Sequence, residues 1–436
     1  MFSLIKGALR NSFNQIIAVL AVSASFLLIF RTGNIKNGII KPFDLILLII
    51  GSFLVLNWKT VEPLKEKLKP FVKYGLILLL SIVLGQIASW IYRDSMNVSI
   101  DMLLNYGRIV FNISVFLVMA IIIHRTPKLY IFISRAIFVS PVVFLPVFFG
   151  IGTDAYFNGG RLSGFLQDPN VFGGWMIIIF LLGIAFLHEV KARQKILIAA
   201  WLCIIANFIL WSGSRASWLA LSAALLAWMF FDLWRKQKTR VITLIFIPII
   251  AFSVGFLLLP NNIKPFIFDR IFGKYAINAM GLEETFKKYN PGFTPSADYG
   301  IISNQTRTKI WGNIVTIATK SPLFGFGFYY LNNNQFPVQS ESVSYTANVF
   351  LEALINGGIV ALAAFLFMLK RIWDEVKHSL KGLSELEFSW IVAIFATLID
   401  LFFIDGFLFR YFWFVLGMGL GIAWARSLPQ KAPGIE

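Results

Sequence analysis

Long apolar runs separated by short charged links dominate this chain, and they decide what it can fold into. A bilayer crossing needs about 20 apolar residues, fewer where flanking groups snorkel to the interface. On that measure about twelve candidate spans are read, at 13–30, 43–57, 74–92, 103–123, 129–149, 171–187, 196–211, 216–231, 241–259, 349–369, 388–404 and 407–424. Within each run the apolar residues go all round, which suits helices in lipid and not the period-two pattern of a membrane β-barrel. The expected fold class is an all-α polytopic membrane protein with about 12 transmembrane helices. Composition closes the soluble alternative. Hydrophobic residues make up 58% of the 436 and charged residues 14%, against roughly 25% charged in a soluble domain. That leaves too little polar surface to cover a water-facing fold.

Basic residues set the orientation, because short cytoplasmic loops carry the excess of Lys and Arg. With the N-terminus inside, the cytoplasmic segments hold 22 Lys and Arg, among them Lys59, Lys65, Lys67, Lys69 and Lys73 in one loop and Arg235, Lys236, Lys238 and Arg240 in another. The short loops opposite hold 6: Arg31, Lys36, Lys41, Arg93, Arg161 and Arg215. Both termini are therefore expected in the cytoplasm. The first run resembles a signal peptide in having Lys6 and Arg10 ahead of it and Ala21-Val22-Ser23-Ala24 within it. It stays apolar through Phe30, so a retained anchor is expected.

One connection departs from the tight links. Residues 260–348 form a long polar stretch on the outer side, far beyond the usual loop length. Pro291-Gly292 and Asn332-Asn333-Asn334 mark turns in it, and helices are expected from Glu283 to Lys288 and from Thr308 to Lys320. The chain thus divides into spans one to nine (1–259), a loop domain (260–348), and spans ten to twelve with a tail (349–436).

His124, His188 and His378 all fall on the inner side, and Cys203 is the only cysteine. The outer side has no His-x-x-x-His, Cys cluster or Asp-x-Asp, so no metal ligand set is expected there. No Gly-x-x-x-x-Gly-Lys loop is present for nucleotide phosphates. No cofactor is expected.

What the outer side offers is arginine. Gly160-Arg161-Leu162-Ser163-Gly164 with Asp168-Pro169-Asn170 precedes span six, and Ser212-Gly213-Ser214-Arg215-Ala216-Ser217 turns between spans seven and eight. Arg307 opens an Arg-Thr-Lys-Ile-Trp helix, followed by Pro322-Leu323-Phe324-Gly325-Phe326-Gly327. Thr346-Ala347-Asn348-Val349-Phe350-Leu351 then enters span ten, with Gly357-Gly358-Ile359 further on. Taken singly, an arginine at a membrane boundary is commonly an interfacial anchor. In this order, over roughly residues 155–370, the series resembles the O-antigen ligase and polymerase superfamily of membrane glycosyltransferases.

That resemblance implies a metal-independent enzyme of the bacterial inner membrane whose active site faces the periplasm. The donor would be a glycan on undecaprenyl diphosphate. The acceptor would be a sugar hydroxyl, on lipid A-core for a ligase, the leading reading, or on a second lipid-linked glycan for a polymerase. Arg161, Arg215 and Arg307 would bind the donor diphosphate, since guanidinium forks match phosphate oxygens. Asp168, Asn170, Ser214 and Arg410 would give support. The family carries a His before the Asn that starts the span after the large loop, proposed as the base on the acceptor. Here that position is Ala347, beside Asn348. Two readings stand: a different base, drawn from Glu352, Asp168 or Asp405, or an inactive variant from which the base has been removed. Arg108, Arg135 and Arg410 lie in or near spans, where a charge is costly and is usually paired or functional. The competing class is a transporter or flippase of lipid-linked sugars. It would call for matched Gly/Pro-interrupted spans in the two halves, and the sequence has none.

Overall fold

The computed structural model describes residues 19–25, 42–56, 61–93, 100–149, 157–158, 161–166, 168–261, 263–265, 267–269, 281–289, 299–328, 348–380, 382–404, 406 and 409–427. It is helical, as expected of an all-α polytopic membrane protein. The helices are α1 (Pro42–Leu56), α2 (Lys65–Arg93), α3 (Ile100–Arg125), α4 (Leu129–Val139), α5 (Pro169–Glu189), α6 (Ala192–Ser212), α7 (Arg215–Trp234), α8 (Lys238–Leu258), α9 (Glu283–Tyr289), α10 (Tyr299–Ala318), α11 (Val349–Ser379), α12 (Glu385–Leu401) and α13 (Arg410–Arg426). Past α4 the chain tightens into a 3₁₀ stretch, Ser140–Phe149, where Pro141 and Pro146 cannot donate to an α-helical ladder. A two-residue hairpin pairs Phe157–Asn158 with Arg161–Leu162.

Eight of the described helices are long and apolar enough to cross a membrane. Helices α1, α12 and α13 coincide with three more of the apolar runs but hold only 15, 17 and 17 residues, about 22–26 Å at 1.5 Å per residue. Of the first run, 13–30, only 19–25 lies within the described residues.

Burial sorts the helices into shells. The candidate span Pro169–Glu189 is 94% buried and Arg240–Leu258 only 22%, so α5 is the axis of the bundle and α8 faces lipid. Around α5 the packing is aromatic: Phe144, Phe172 and Phe208 meet edge to face, and Trp175 meets Tyr411 and Phe414. Elsewhere glycine allows close approach, as small residues do between membrane helices. A Cβ at Gly417 would lie 2.5 Å from the Phe116 carbonyl oxygen, and one at Gly421 2.9 Å from that of Ala120. These contacts bind α13 to α3.

Side-chain contacts fix relative directions. Tyr74 stacks on Phe367 near one end of α2 while Gly85 meets Asn356 near the other, so α2 and α11 are antiparallel. Phe231 stacks on Phe388 and Ser217 bonds to Asp400, so α7 and α12 are antiparallel too. The bundle therefore has two distinct ends. At one, Arg240 pairs with Glu385, Arg426 pairs with Glu387, and Lys67 donates to Ser427 at 2.8 Å. The other end gathers the hairpin arginines, Asn348 and the last turn of α12.

Two expectations for the long polar stretch are adjusted. The first helix runs Glu283–Tyr289, close to its expected span. The second begins at Tyr299 and ends at Ala318, nine residues earlier than the pattern placed its start. Its first two turns, Tyr299 to Thr306, include Ser303, Asn304, Gln305 and Thr306 and carry no apolar period to read. Pro291-Gly292 and the Asn332-Asn333-Asn334 turn lie outside the described residues.

Candidate functional site

The hairpin between α6 and α7 is set by local chemistry. Gly213 closes α6 in the left-handed conformation, φ 58°, which a residue without a Cβ adopts freely. Ser214 then caps α7, its hydroxyl accepting from the Ser217 amide at 3.3 Å. This delivers Arg215 as the first residue of α7. Arg215 is half-buried, and among the described residues it makes no hydrogen bond or ion pair.

Arg161 joins the same hairpin from another segment. Its Nε donates to the Ser212 carbonyl at 2.7 Å, and a terminal nitrogen donates to Asn170 Oδ1 at 2.9 Å. A guanidinium at the C-terminus of α6 meets the negative end of the helix dipole, so Arg161 supports the fold as well as charging the site. Asp168 is the N-cap of α5, with Oδ1 accepting from the amides of Asn170 at 2.7 Å and Val171 at 3.4 Å. Such a cap contributes about 1 kcal/mol.

Behind the hairpin runs a polar chain that sequence reasoning did not assemble. Ser217 Oγ bonds to Ser214 Oγ at 2.9 Å and to Asp400 Oδ1 at 3.2 Å, and Tyr411 donates to Asp400 Oδ2 at 3.3 Å. Gly173 and Gly174 permit this approach of α5: a Cβ at Gly174 would stand 2.2 Å from Asp400 Oδ2. The available signal was Asp400 itself, an acid inside an apolar run. Its partners are distant in sequence and left no trace there.

The chain of contacts then leads to α10 and α11. Phe402 and Phe403 follow Asp400 at the end of α12. Arg307 lies with its guanidinium 5.8 Å from the centre of the Phe403 ring. Asn348 caps α11, its Oδ1 accepting from Phe350 and Leu351 amides at 2.8 and 3.1 Å, while its Nδ2 donates to the Phe402 carbonyl at 2.9 Å. Glu352 is 1% exposed and accepts from the Gly406 amide at 2.8 Å. That geometry braces the segment after α12 and turns the carboxylate away from solvent.

Most of the expected residues therefore sit at one end of the bundle: Arg161, Asp168, Asn170, Ser214, Arg215, Arg307, Asn348 and Glu352. Arg410 opens α13, its guanidinium 5.6 Å from the Phe111 ring centre on α3. Ala347 and Asp405 lie outside the described residues. Of the other span arginines, Arg108 donates to Asn105 at 2.9 Å and Arg135 acts on Glu189. The N-termini of α5, α7, α11 and α13 point to this same end, adding their positive dipole ends to the arginines. The arrangement suits an anion.

Residues 198–366 match the family model described as O-antigen ligase. The match bears out the resemblance to the O-antigen ligase and polymerase superfamily over those residues. It takes in the α6–α7 hairpin, α10 and the first half of α11, whereas Arg161, Asp168, Asn170, Asp400 and Arg410 fall outside it. No curated protein matches the chain.

Proposed function

We propose, with the O-antigen ligase match over residues 198–366 as premise, that this protein moves a glycan from undecaprenyl diphosphate to a sugar hydroxyl at the periplasmic face of the inner membrane. The acceptor is lipid A-core, which makes the protein a ligase. In this reading the chain crosses about twelve times, with both termini in the cytoplasm and residues 260–348 outside, the orientation that the Lys and Arg excess favours. The observation that carries the reading is Arg215, a half-buried cation at the mouth of a hairpin with no partner among the described residues. A partly desolvated guanidinium needs an anion, and a lipid diphosphate brings one to that depth.

Arg161, Arg215 and Arg307 bind the diphosphate and neutralise the charge that grows on it as the glycosidic bond breaks, work that an oriented cation does well in a site shielded from water. The acceptor hydroxyl attacks the anomeric carbon, its proton goes to a base at position 347 in the active form, and undecaprenyl diphosphate leaves. Ala347 cannot accept that proton, and the chain as it stands is a base-deleted form that binds donor and scarcely turns over.

Purified protein with Ala347→His, given a defined lipid-linked glycan, is expected to glycosylate lipid A-core and to leave a second lipid-linked glycan unextended. Extension of the lipid-linked glycan instead makes it a polymerase. Movement of the intact donor across a vesicle membrane without transfer makes it a flippase.

The orientation has its own test. In a Cys203→Ser background, a cysteine at Asn333 is expected to react with a membrane-impermeant maleimide from the periplasmic side. Reaction only after the cytoplasmic face is opened contradicts the assignment.

A further inference from the structure

Helix α11 is not continuous. It breaks at Gly357 (φ −134°, ψ 15°) and Gly358 (φ 65°, ψ −163°), a conformation at Gly358 that a side chain would strain. An intact helix would pair the Ile355 carbonyl with the Ile359 amide and the Asn356 carbonyl with the Val360 amide. Both pairs are split, and each half is taken by one other segment. Phe326 N donates to Ile355 O at 2.7 Å and Gly327 N to Asn356 O at 2.8 Å, while Ile359 N donates to Pro322 O at 2.8 Å and Val360 N to Leu323 O at 3.3 Å. Residues 322–327 thus form a strap inserted into the broken helix. Irregular backbone inside the bundle is sustained here by protein partners for the freed groups at Ile355, Asn356, Ile359 and Val360.

The fit is backbone to backbone. A Cβ at Gly358 would lie 2.3 Å from Leu323 O, one at Gly325 2.5 Å from Ile355 O, and one at Gly85 of α2 2.1 Å from Phe324 O. The strap follows α10 after a short turn, in which Lys320 N and Ser321 N donate back to Ile317 O and Ala318 O. Helix α10 in turn lays Ile310, Ile314 and Ile317 against Phe326 and Ile355, with Trp311 edge-on to Phe402 at 5.7 Å. So the strap anchors the one element that carries Arg307, and it does so a few residues from Asn348 and Glu352.

We propose that the strap 322–327, locked into the Gly357-Gly358 break, is a positioning device. It holds α10 in register with α11 so that Arg307 reaches the same lipid diphosphate as Arg215. This rests on the donor site proposed above and adds to it the residues that aim one of its cations: Gly325, Gly327 and Gly358, with Gly85 behind them. Arg215 is held independently by the α6–α7 hairpin, so the strap should govern Arg307 alone.

Selective coupling tests this. Inserting Gly-Ser-Gly between Lys320 and Ser321 leaves the strap free to fill its socket but slackens its hold on α10, and it spares the buried glycines whose substitution risks the fold. Binding of undecaprenyl diphosphate is measured for Arg307→Ala and Arg215→Ala, each with and without the insertion. In the uninterrupted chain Arg307→Ala is expected to weaken binding about tenfold or more, as loss of a charge-assisted bond does. With the insertion that effect falls to within about twofold, while the effect of Arg215→Ala is unchanged, the signature of a coupling confined to one pair. An Arg307→Ala effect that survives the insertion in full overturns the proposal, as does equal loss of both arginine effects, which marks general disruption. A second readout does not depend on donor binding. In a Cys203→Ser background, Trp311→Cys and Phe402→Cys are expected to be bridged by a short bifunctional maleimide in the uninterrupted chain and to lose that bridging with the insertion. If Arg307→Ala is silent from the start, the donor role of Arg307 fails, whereas retained cross-linking with the insertion is what refutes positioning by the strap.

Discussion

Replacing Ala347 with histidine raises glycan transfer by about 10²–10⁴-fold, the range a positioned general base supplies, and leaves affinity for the lipid diphosphate within about twofold, because the base meets the acceptor. Position 347 directly precedes the cap of α11 in the sequence. Asn348 is fixed at both ends of its amide, capping α11 through Oδ1 and holding the Phe402 carbonyl through Nδ2. Asn348 thereby braces the N-terminus of α11 against the end of α12. The positive end of a helix dipole disfavours imidazolium and keeps a histidine there neutral, the form that accepts a proton. The alternatives fit less well: Glu352 is buried and engaged with Gly406, and Asp168 is engaged as the cap of α5. Rates of single-turnover transfer for the two proteins, measured at equal donor occupancy, check this. Fast transfer by the chain as it stands, unimproved by the histidine, contradicts it and assigns the proton to another group.

Arg215→Ala is expected to weaken binding of undecaprenyl diphosphate about 10–100-fold, the worth of a charge-assisted bond in a partly desolvated site. Transfer in the Ala347→His background falls further, since part of that interaction strengthens as charge moves onto the leaving diphosphate. Arg215→Lys keeps the charge but loses the planar fork, and recovers binding only in part. Thermal stability should hardly change, because Arg215 has no partner to lose among the described residues. Arg161→Ala differs on that point. It strips Ser212 O and Asn170 Oδ1 of their donor, so stability and binding fall together. Titration of detergent-solubilised protein with the lipid, alongside melting curves, separates the two arginines. Unchanged affinity in both reduces them to interfacial anchors.

The helices were largely legible in the sequence because membrane insertion is governed by composition over long windows, and the apolar runs from 43–57 to 407–424 each coincide with a described helix. The arginine motifs were legible too, since Gly213 and Ser214 carry the local chemistry of a helix end and a helix start. What escaped was tertiary. Ser217, Asp400 and Tyr411 form one hydrogen-bonded chain, yet Ser217 and Asp400 are 183 residues apart. The Gly357-Gly358 pair was visible as part of the motif series, but nothing local to it shows what it packs against. Its backbone angles and the four bonds shared with residues 322–327 mark it as a break. The contact of Arg410 with Phe111 depends on the register of α13 against α3, which no local pattern encodes.

The central claim is that the arginine rim binds a lipid diphosphate, and the most direct measurement is to locate the two phosphates in a structure of this protein with undecaprenyl diphosphate bound. Phosphate oxygens are expected within hydrogen-bond reach of Arg215 and at least one of Arg161 and Arg307, at the end of the bundle where Asn348 caps α11. Phosphates found midway along the bundle, or at the opposite end beside Arg240 and Arg426, would contradict it.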